Sequence, residues 1–151
     1  SPGSDWIEVG GTRKHVLSYL GDFLFSPQRA NSPIKTLSGG ERRRLSIATI
    51  LAQDPAVFLL DEPIHQLDPQ HQLDVLRIFR RLADAGRTVV VSLHDIGLAA
   101  RFADSALLLF GDGRWQCGSC DEALSERSIG ELYGIAVREL RWEHGRTFVA
   151  A

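Results

Sequence analysis

Residues 56–60, Ala-Val-Phe-Leu-Leu, constrain the chain more than any other stretch, because every position is apolar and the run closes on Asp61-Glu62-Pro63. A strand with no polar alternation is predicted to be buried on both faces, which is the pattern of a parallel sheet. Two further runs, residues 88–92 and 106–110, read as a second and a third strand. Between the first two, Asp68-Pro69 supplies a cap and an N1 proline for a helix. Its inward face is Leu73, Leu76, Phe79 and Leu82, and Gly86 is the stop. Asp95 caps a short helix running to about residue 103. Strand–helix–strand alternation with apolar strands predicts an α/β layered domain with a parallel sheet.

The rest of the chain reads as shorter pieces. Val16, Leu17, Leu20, Phe23 and Leu24 fall at helical spacing and predict a helix over residues 13–25, weakened but not ended by Gly21 and stopped by Ser26-Pro27. Residues 28–36 read as a polar loop with Pro33. A second helix follows, with Leu45, Ala48, Leu51 and Ala52 inward and Asp54-Pro55 at its end. Gly111-Asp112-Gly113 is a hairpin turn into residues 114–117. Residues 121–124 and 128–133 read as short helices, and 137–141 with 146–149 as a terminal hairpin turning at Glu143-His144-Gly145.

At 151 residues with 44% hydrophobic and 24% charged residues, the composition is that of one soluble globular domain, and a net charge of −2 gives no sign of a nucleic-acid surface. The cluster Arg42-Arg43-Arg44 reads as a solvated helix face in preference to a phosphate patch. No apolar run approaches the roughly 18 residues a membrane span needs, and no signal peptide is present, so the cytoplasm is the expected compartment. Ser1-Pro2-Gly3-Ser4 has the look of a cloning scar. Cys117-Gly118-Ser119-Cys120 has redox or zinc spacing, but it follows a strand and offers only two sulfurs. Reduced, structural cysteines are the expectation.

Leu37-Ser38-Gly39-Gly40-Glu41 opens the second helix. It reads either as an ordinary capped start or as an anion site, in which uncovered amides sit at the positive end of the helix dipole. Asp61 and Glu62 close a parallel strand at the edge where open sheets bind ligands. One such carboxylate can hold Mg²⁺, mostly through water, while its neighbour orients and deprotonates an attacking water. Taken alone, the pair reads equally as such a site or as a turn that simply ends a strand. His94 follows the second strand on the same edge, where it is either structural or a phosphate hydrogen-bonder. Asp68 can be only a helix cap.

In this order, LSGGE, Val57-Phe58-Leu59-Leu60-Asp61-Glu62-Pro63, the loop ending Leu67-Asp68, and Ser92-Leu93-His94-Asp95 together resemble the ATPase domain of ABC (ATP-binding cassette) proteins over residues 37–140. The resemblance implies a P-loop NTPase fold of three layers, incomplete here. Residues 5–55 would carry part of the helical subdomain with the signature. Residues 56–151 would carry part of the RecA-like core with Walker B, the D-loop and the switch histidine. It implies Glu62 as general base, Asp61 as the Mg²⁺ partner through water, His94 as γ-phosphate sensor and Asp68 as the D-loop aspartate. Ser38, Gly39, Gly40 and Glu41 would contact ATP held by a second ABC domain in a head-to-tail dimer. It also implies a membrane permease as partner and ATP with Mg²⁺ as cofactors.

A phosphate loop GxxxxGK[ST] is absent, since neither Lys14 nor Lys35 has the glycines. Hydrolysis by these 151 residues alone is therefore not expected, and a sheet short of a strand should leave an edge open to self-association. From Ala52 to Glu139 the chain resembles importer ATPases for iron–siderophore complexes, haem or cobalamin, through Gln66-Leu67-Asp68, residues 71–76, residues 92–101 and Leu132-Tyr133-Gly134. From Val9 to Arg43 it resembles the translation-linked ABC-F type, through residues 15–20, residues 22–25 and Pro33. Such a junction would make it a chimera. An ABC-F ATPase and a non-enzymatic fragment are thus the alternatives to an importer subunit. Ile64-His65 departs from the usual D-loop pattern.

Overall fold

A computed structural model describes residues 4–143 and 145–151. The chain divides into two compact units, Ser1–Ser92 and Leu93–Ala151. The division expected at 55/56 falls inside the first of them. Most of the scar, and the His144 tip of the terminal hairpin, lie outside the described residues.

The first unit opens on a hairpin, β1 (Trp6–Val9) and β2 (Thr12–His15), paired antiparallel from Trp6↔His15 to Val9↔Thr12. Gly10 and Gly11 make its turn at φ +56° and +74°, the left-handed pair that a tight hairpin demands. The helix predicted over 13–25 is corrected accordingly: Arg13 to His15 are strand, and α1 spans only Val16–Gly21. Gly21 is its last helical residue, and Leu24 turns the chain at φ +64°. The loop expected over 28–36 contains a one-turn helix, α2 (Pro27–Ala30), capped by Ser26, and a 3₁₀ turn over Ile34–Thr36.

Helix α3 (Gly39–Ala52) starts on Ser38 as expected, and the Tyr19 hydroxyl ties α1 to it, donating to the Ala48 carbonyl at 2.7 Å. Burial, and next to it the Asp22 charge, pushes the Tyr19 phenol up to about 12. Ile47 joins Ala48 and Leu51 in the core, whereas Leu45 and Ala52 are only half-buried. Strand β3 (Val57–Leu60) pairs parallel with β4 (Thr88–Val91), and α4 (Pro69–Asp84) crosses between them from its Asp68 cap. Val75, Leu76, Ile78 and Phe79 are its buried residues.

Burial of β3 on both faces is not observed. Phe58 and Leu60 are buried, but Val57 is 59% and Leu59 81% exposed, and Val90 on β4 is 48% exposed. The run is apolar throughout, yet only one face of this two-stranded sheet is covered.

The second unit holds α5 (Ile96–Phe102), capped by Asp95, then the antiparallel pair β5 (Ser105–Leu109) and β6 (Trp115–Ser119). Two short helices follow, α6 (Cys120–Ala123) and α7 (Glu126–Tyr133), then the hairpin β7 (Val137–Trp142) and β8 (Gly145–Ala150). The third predicted strand exists, but β5 pairs with β6 and not in a parallel sheet. Leu108, Cys120, Leu124 and Ile129 form the core of this unit. Arg146, buried among them, donates to the Cys120 and Leu124 carbonyls and pairs with Glu139 and Asp121.

Candidate functional site: signature helix and strand-end carboxylates

The first turn of α3 is organised by a reciprocal cap. Ser38 Oγ accepts the Glu41 N–H at 3.2 Å, and Glu41 Oε2 accepts the Ser38 N–H at 2.8 Å. The Gly39 and Gly40 amides lie between these two, facing no intrahelical acceptor. The Ser38 hydroxyl also faces the Glu41 carboxylate and helps to lower it. Glu41 is doubly held, because Arg29 donates to both its oxygens at 2.6 Å. These Arg29 bonds, aided by the Ser38 amide, pull the Glu41 carboxyl from its ordinary 4.5 down to about 2. A bare carboxylate at this helix start would repel any anion brought to the Gly39 and Gly40 amides. Its bidentate guanidinium partner offsets that charge and leaves the helix dipole to act.

Gly40 faces the segment that follows the Asp61-Glu62 turn. A Cβ there would sit 3.4 Å from Leu67 Cδ2 and 3.8 Å from the Gln66 carbonyl oxygen. The predicted D-loop therefore packs on the signature glycines of its own chain. Asp68 caps α4 through the His71 N–H at 3.1 Å and also holds the His71 ring, which lowers its own carboxyl. Ile64 and Leu67 are buried, while His65 is exposed.

Asp61 and Glu62 leave the ends of the parallel pair where Leu60 faces Val91. The next residue on each strand brings Asp61 to Ser92, and Ser92 Oγ donates to Asp61 Oδ1 at 2.6 Å. Ser92 Oγ in turn accepts the Glu62 N–H at 2.7 Å. Glu62 itself adopts φ +44°. Arg43 closes the turn from the other side, donating to the carbonyls of Asp61 (3.3 Å), Glu62 and Pro63 (3.4 Å).

The solvated arginine face expected at 42–44 is corrected by these contacts. Arg43 is spent on backbone oxygens. Arg44 is 7% exposed, with its guanidinium over the Phe25 ring at 5.5 Å; only Arg42 is exposed, and it donates to the Lys35 carbonyl. Arg43 and Ser92 escaped the sequence reading as site residues, although the register of two adjacent parallel strands already put Ser92 beside Asp61. His94 is exposed just ahead of the α5 cap and belongs to the second unit.

The site residues present suit a magnesium ion only in part. Among the described residues no three His, Cys, Asp or Glu side chains converge on one point. Mg²⁺ needs no such cage, because it keeps waters and takes phosphate oxygens beside one or two carboxylates. Exposed Asp61, already oriented by Ser92, fits that requirement.

A protein-family model described as "ABC transporter" matches residues 8–65, which contain both the signature helix and the Asp61-Glu62 turn. A hemin import ATP-binding protein of Pseudomonas putida is 46% identical over 107 residues, 67% of this chain and 42% of that protein. An ATP-binding protein of Haemophilus influenzae described as Uup-like is 40% identical over 112 residues, 74% of this chain and 24% of that protein. Among solved structures, a putative metal-chelate type ABC transporter in an inward-facing conformation superposes with TM-score 0.75 at 26% identity, over 90% of this chain and 55% of that one. A dimeric bacterial ABC transporter cassette superposes with TM-score 0.55 at 33% identity, over 61% of this chain and 40% of that one.

Fold and site together define an incomplete P-loop NTPase domain of the α/β class. The chain belongs to the ABC (ATP-binding cassette) ATPase family, and it spans between about a quarter and two fifths of the length of the two curated relatives described.

Proposed function

We propose that the chain is the signature and Walker B part of an ATP-binding subunit that couples ATP hydrolysis to import of an iron complex, haem or cobalamin. The observation that carries this reading is the cross-braced pair of Ser38–Gly40 and Asp61–Glu62, with Gln66 and Leu67 packed on the glycines. The signature turn would offer the Ser38 hydroxyl and the Gly39 and Gly40 amides to the γ-phosphate of ATP held by a second ABC domain. Glu41 serves that turn by capping it. Asp61 and Glu62 would serve a second ATP, whose phosphates need a loop this sequence does not contain. There Asp61 would hold Mg²⁺ through water and Glu62 would take the proton of the attacking water; for His94, in the second unit, the family resemblance gives a γ-phosphate contact. Mg²⁺ supplies charge neutralisation of the phosphates. Asp68 sits at the dimer seam as the D-loop aspartate. A membrane permease is the outer partner, which places the chain at the cytoplasmic face of a membrane, and the open face of β3–β4 favours self-association.

The test is complementation. A phosphate-loop-bearing ABC cassette whose own signature serine is replaced hydrolyses ATP poorly. Adding this chain should restore magnesium-dependent turnover, while the chain alone shows none. Gly40→Asp, which puts a carboxylate at the proposed anion site, should lower the restored turnover by about 10²- to 10³-fold, comparable to losing one oxyanion donor. Turnover by the isolated chain, or equal restoration by Gly40→Asp, defeats the proposal. A second reading, a translation-linked ABC-F ATPase, is favoured by the Uup-like match. Co-purification with ribosomes and not with a permease would select it, and failure to engage nucleotide under any pairing would select a non-enzymatic fragment or chimera.

A further inference from the structure

Glu62 is the one residue of the strand-end turn whose backbone is strained and held from both sides. Its φ of +44° lies in the left-handed region, which costs a side-chain-bearing residue free energy unless its surroundings enforce it. A turn bond from the His65 N–H to the Glu62 carbonyl (3.1 Å) and two side chains hold it. Ser92 Oγ takes the Glu62 N–H at 2.7 Å and passes its own hydrogen to Asp61 Oδ1 at 2.6 Å. Arg43 donates to the Glu62 carbonyl, with the same guanidinium reaching the carbonyls on either side.

Each of these residues has a chemistry that its nearest substitutes lack. A hydroxyl both donates and accepts, so Ser92 can join an amide to a carboxylate, and threonine can do the same while alanine cannot. A guanidinium spreads five donors over a rigid plane and spans three successive carbonyls; lysine offers a point charge. Both supports follow from topology. Ser92 is the residue beyond Val91 on the strand next to Asp61, and Arg43 lies about one turn into the helix that begins at the signature glycines.

We propose that Arg43 and Ser92 are positioning residues that hold the Glu62 backbone in its left-handed pose, and that Arg43 thereby ties the strand-end carboxylates to the signature helix of the same chain. The catalytic consequence rests on Glu62 being the general base; the backbone clamp does not. A shift at the first turn of α3, where a partner's nucleotide would dock, is transmitted by Arg43 to the turn that carries Glu62. In the proposed dimer these two ends of one arginine serve two different ATP molecules.

Hydrogen exchange on the intact chain tests the clamp without any nucleotide. Ser92→Ala and Arg43→Gln should each speed exchange at the Glu62 amide and through residues 64–67 by roughly 2- to 10-fold, the worth of one net hydrogen bond. Exchange in β3 and α4 should stay within about 2-fold of the unsubstituted chain, since these elements keep their packing. Ser92→Thr should restore the Glu62 protection, and Arg43→Lys should restore little. Unchanged exchange at Glu62, a uniform rise across the first unit, or full restoration by Arg43→Lys overturns the proposal. In the complemented ATPase the partner supplies the general base of the reacting site, so Arg43→Gln should loosen the Glu62 turn while leaving kcat there near that of the unsubstituted chain. A large loss of kcat in that pairing would put the effect of Arg43 on the signature turn itself and overturn a clamp acting on Glu62. Absence of any hydrolysis in that pairing defeats the ATPase reading, while the exchange result still decides the clamp.

Discussion

Charge at the signature turn is governed by single contacts. Glu41 is an acid whose folded-state carboxyl lies near 2 because Arg29 grips both oxygens and the Ser38 amide a third time. A carboxyl depressed in the folded state contributes stability that is full above its ordinary 4.5 and is lost as pH falls from there through about 2. Carbon-detected titration of Glu41 should place its midpoint near the lower value, and Arg29→Ala should return it toward the upper one with earlier acid loss of α3. A midpoint near 4.5 in the unsubstituted chain contradicts the capping account. Ser38 and Glu41 were readable as a cap because S-x-x-E before a helical pattern has one mechanical meaning. Arg29 was not readable. Its partner lies 12 residues away, and the α2 turn that delivers it is only four residues long. Arg43 and Arg44 were misjudged for a related reason. Three consecutive arginines spread round a helix, so composition says nothing about which one meets the Asp61–Pro63 carbonyls.

At the level of elements, the strongest sequence signals survived and the averaged ones did not. Proline after a capping aspartate fixed the start of α4 at Pro69, and the Asp95 cap fixed α5. The β1–β2 hairpin was lost beneath an apolar spacing that began at Val16 and was extended too far upstream. Gly10-Gly11 between Trp6-Ile7-Glu8-Val9 and Thr12-Arg13-Lys14-His15 was the available signal. Strand β3 shows a different failure. Its composition reports a strand meant for two covers, and here Val57 and Leu59 face solvent. An exposed strand of this kind templates association. Leu59→Lys should therefore leave the folding stability within about 0.5 kcal/mol while weakening concentration-dependent self-association by at least about 10-fold, the value of one buried leucine. Sedimentation velocity over a range of concentrations checks it. A strictly monomeric unsubstituted chain would show that this face is harmless.

For the whole molecule, the site residues divide by unit. Ser38, Gly39, Gly40, Asp61, Glu62 and Asp68 belong to the first, and His94 to the second. The family was legible because four short motifs occur in one order with family spacing, a property of the linear chain that survives the mismatch of local elements. The cross-bracing of those motifs was harder to read: Ser92 stands inside the His94 motif but meets Asp61 only through strand pairing, and Arg43 lies beyond the signature's five residues. In the proposed dimer the signature turn acts in trans on ATP held by another domain. The direct measurement is nucleotide capture. The chain is mixed with a phosphate-loop-bearing cassette disabled in its own catalytic glutamate, with labelled ATP and Mg²⁺, and run on size exclusion. An ATP-dependent mixed dimer that retains labelled ATP, and is lost with Gly40→Asp in this chain, is the expected result. A chain that elutes alone with and without ATP, or a mixed dimer indifferent to Gly40, would contradict it.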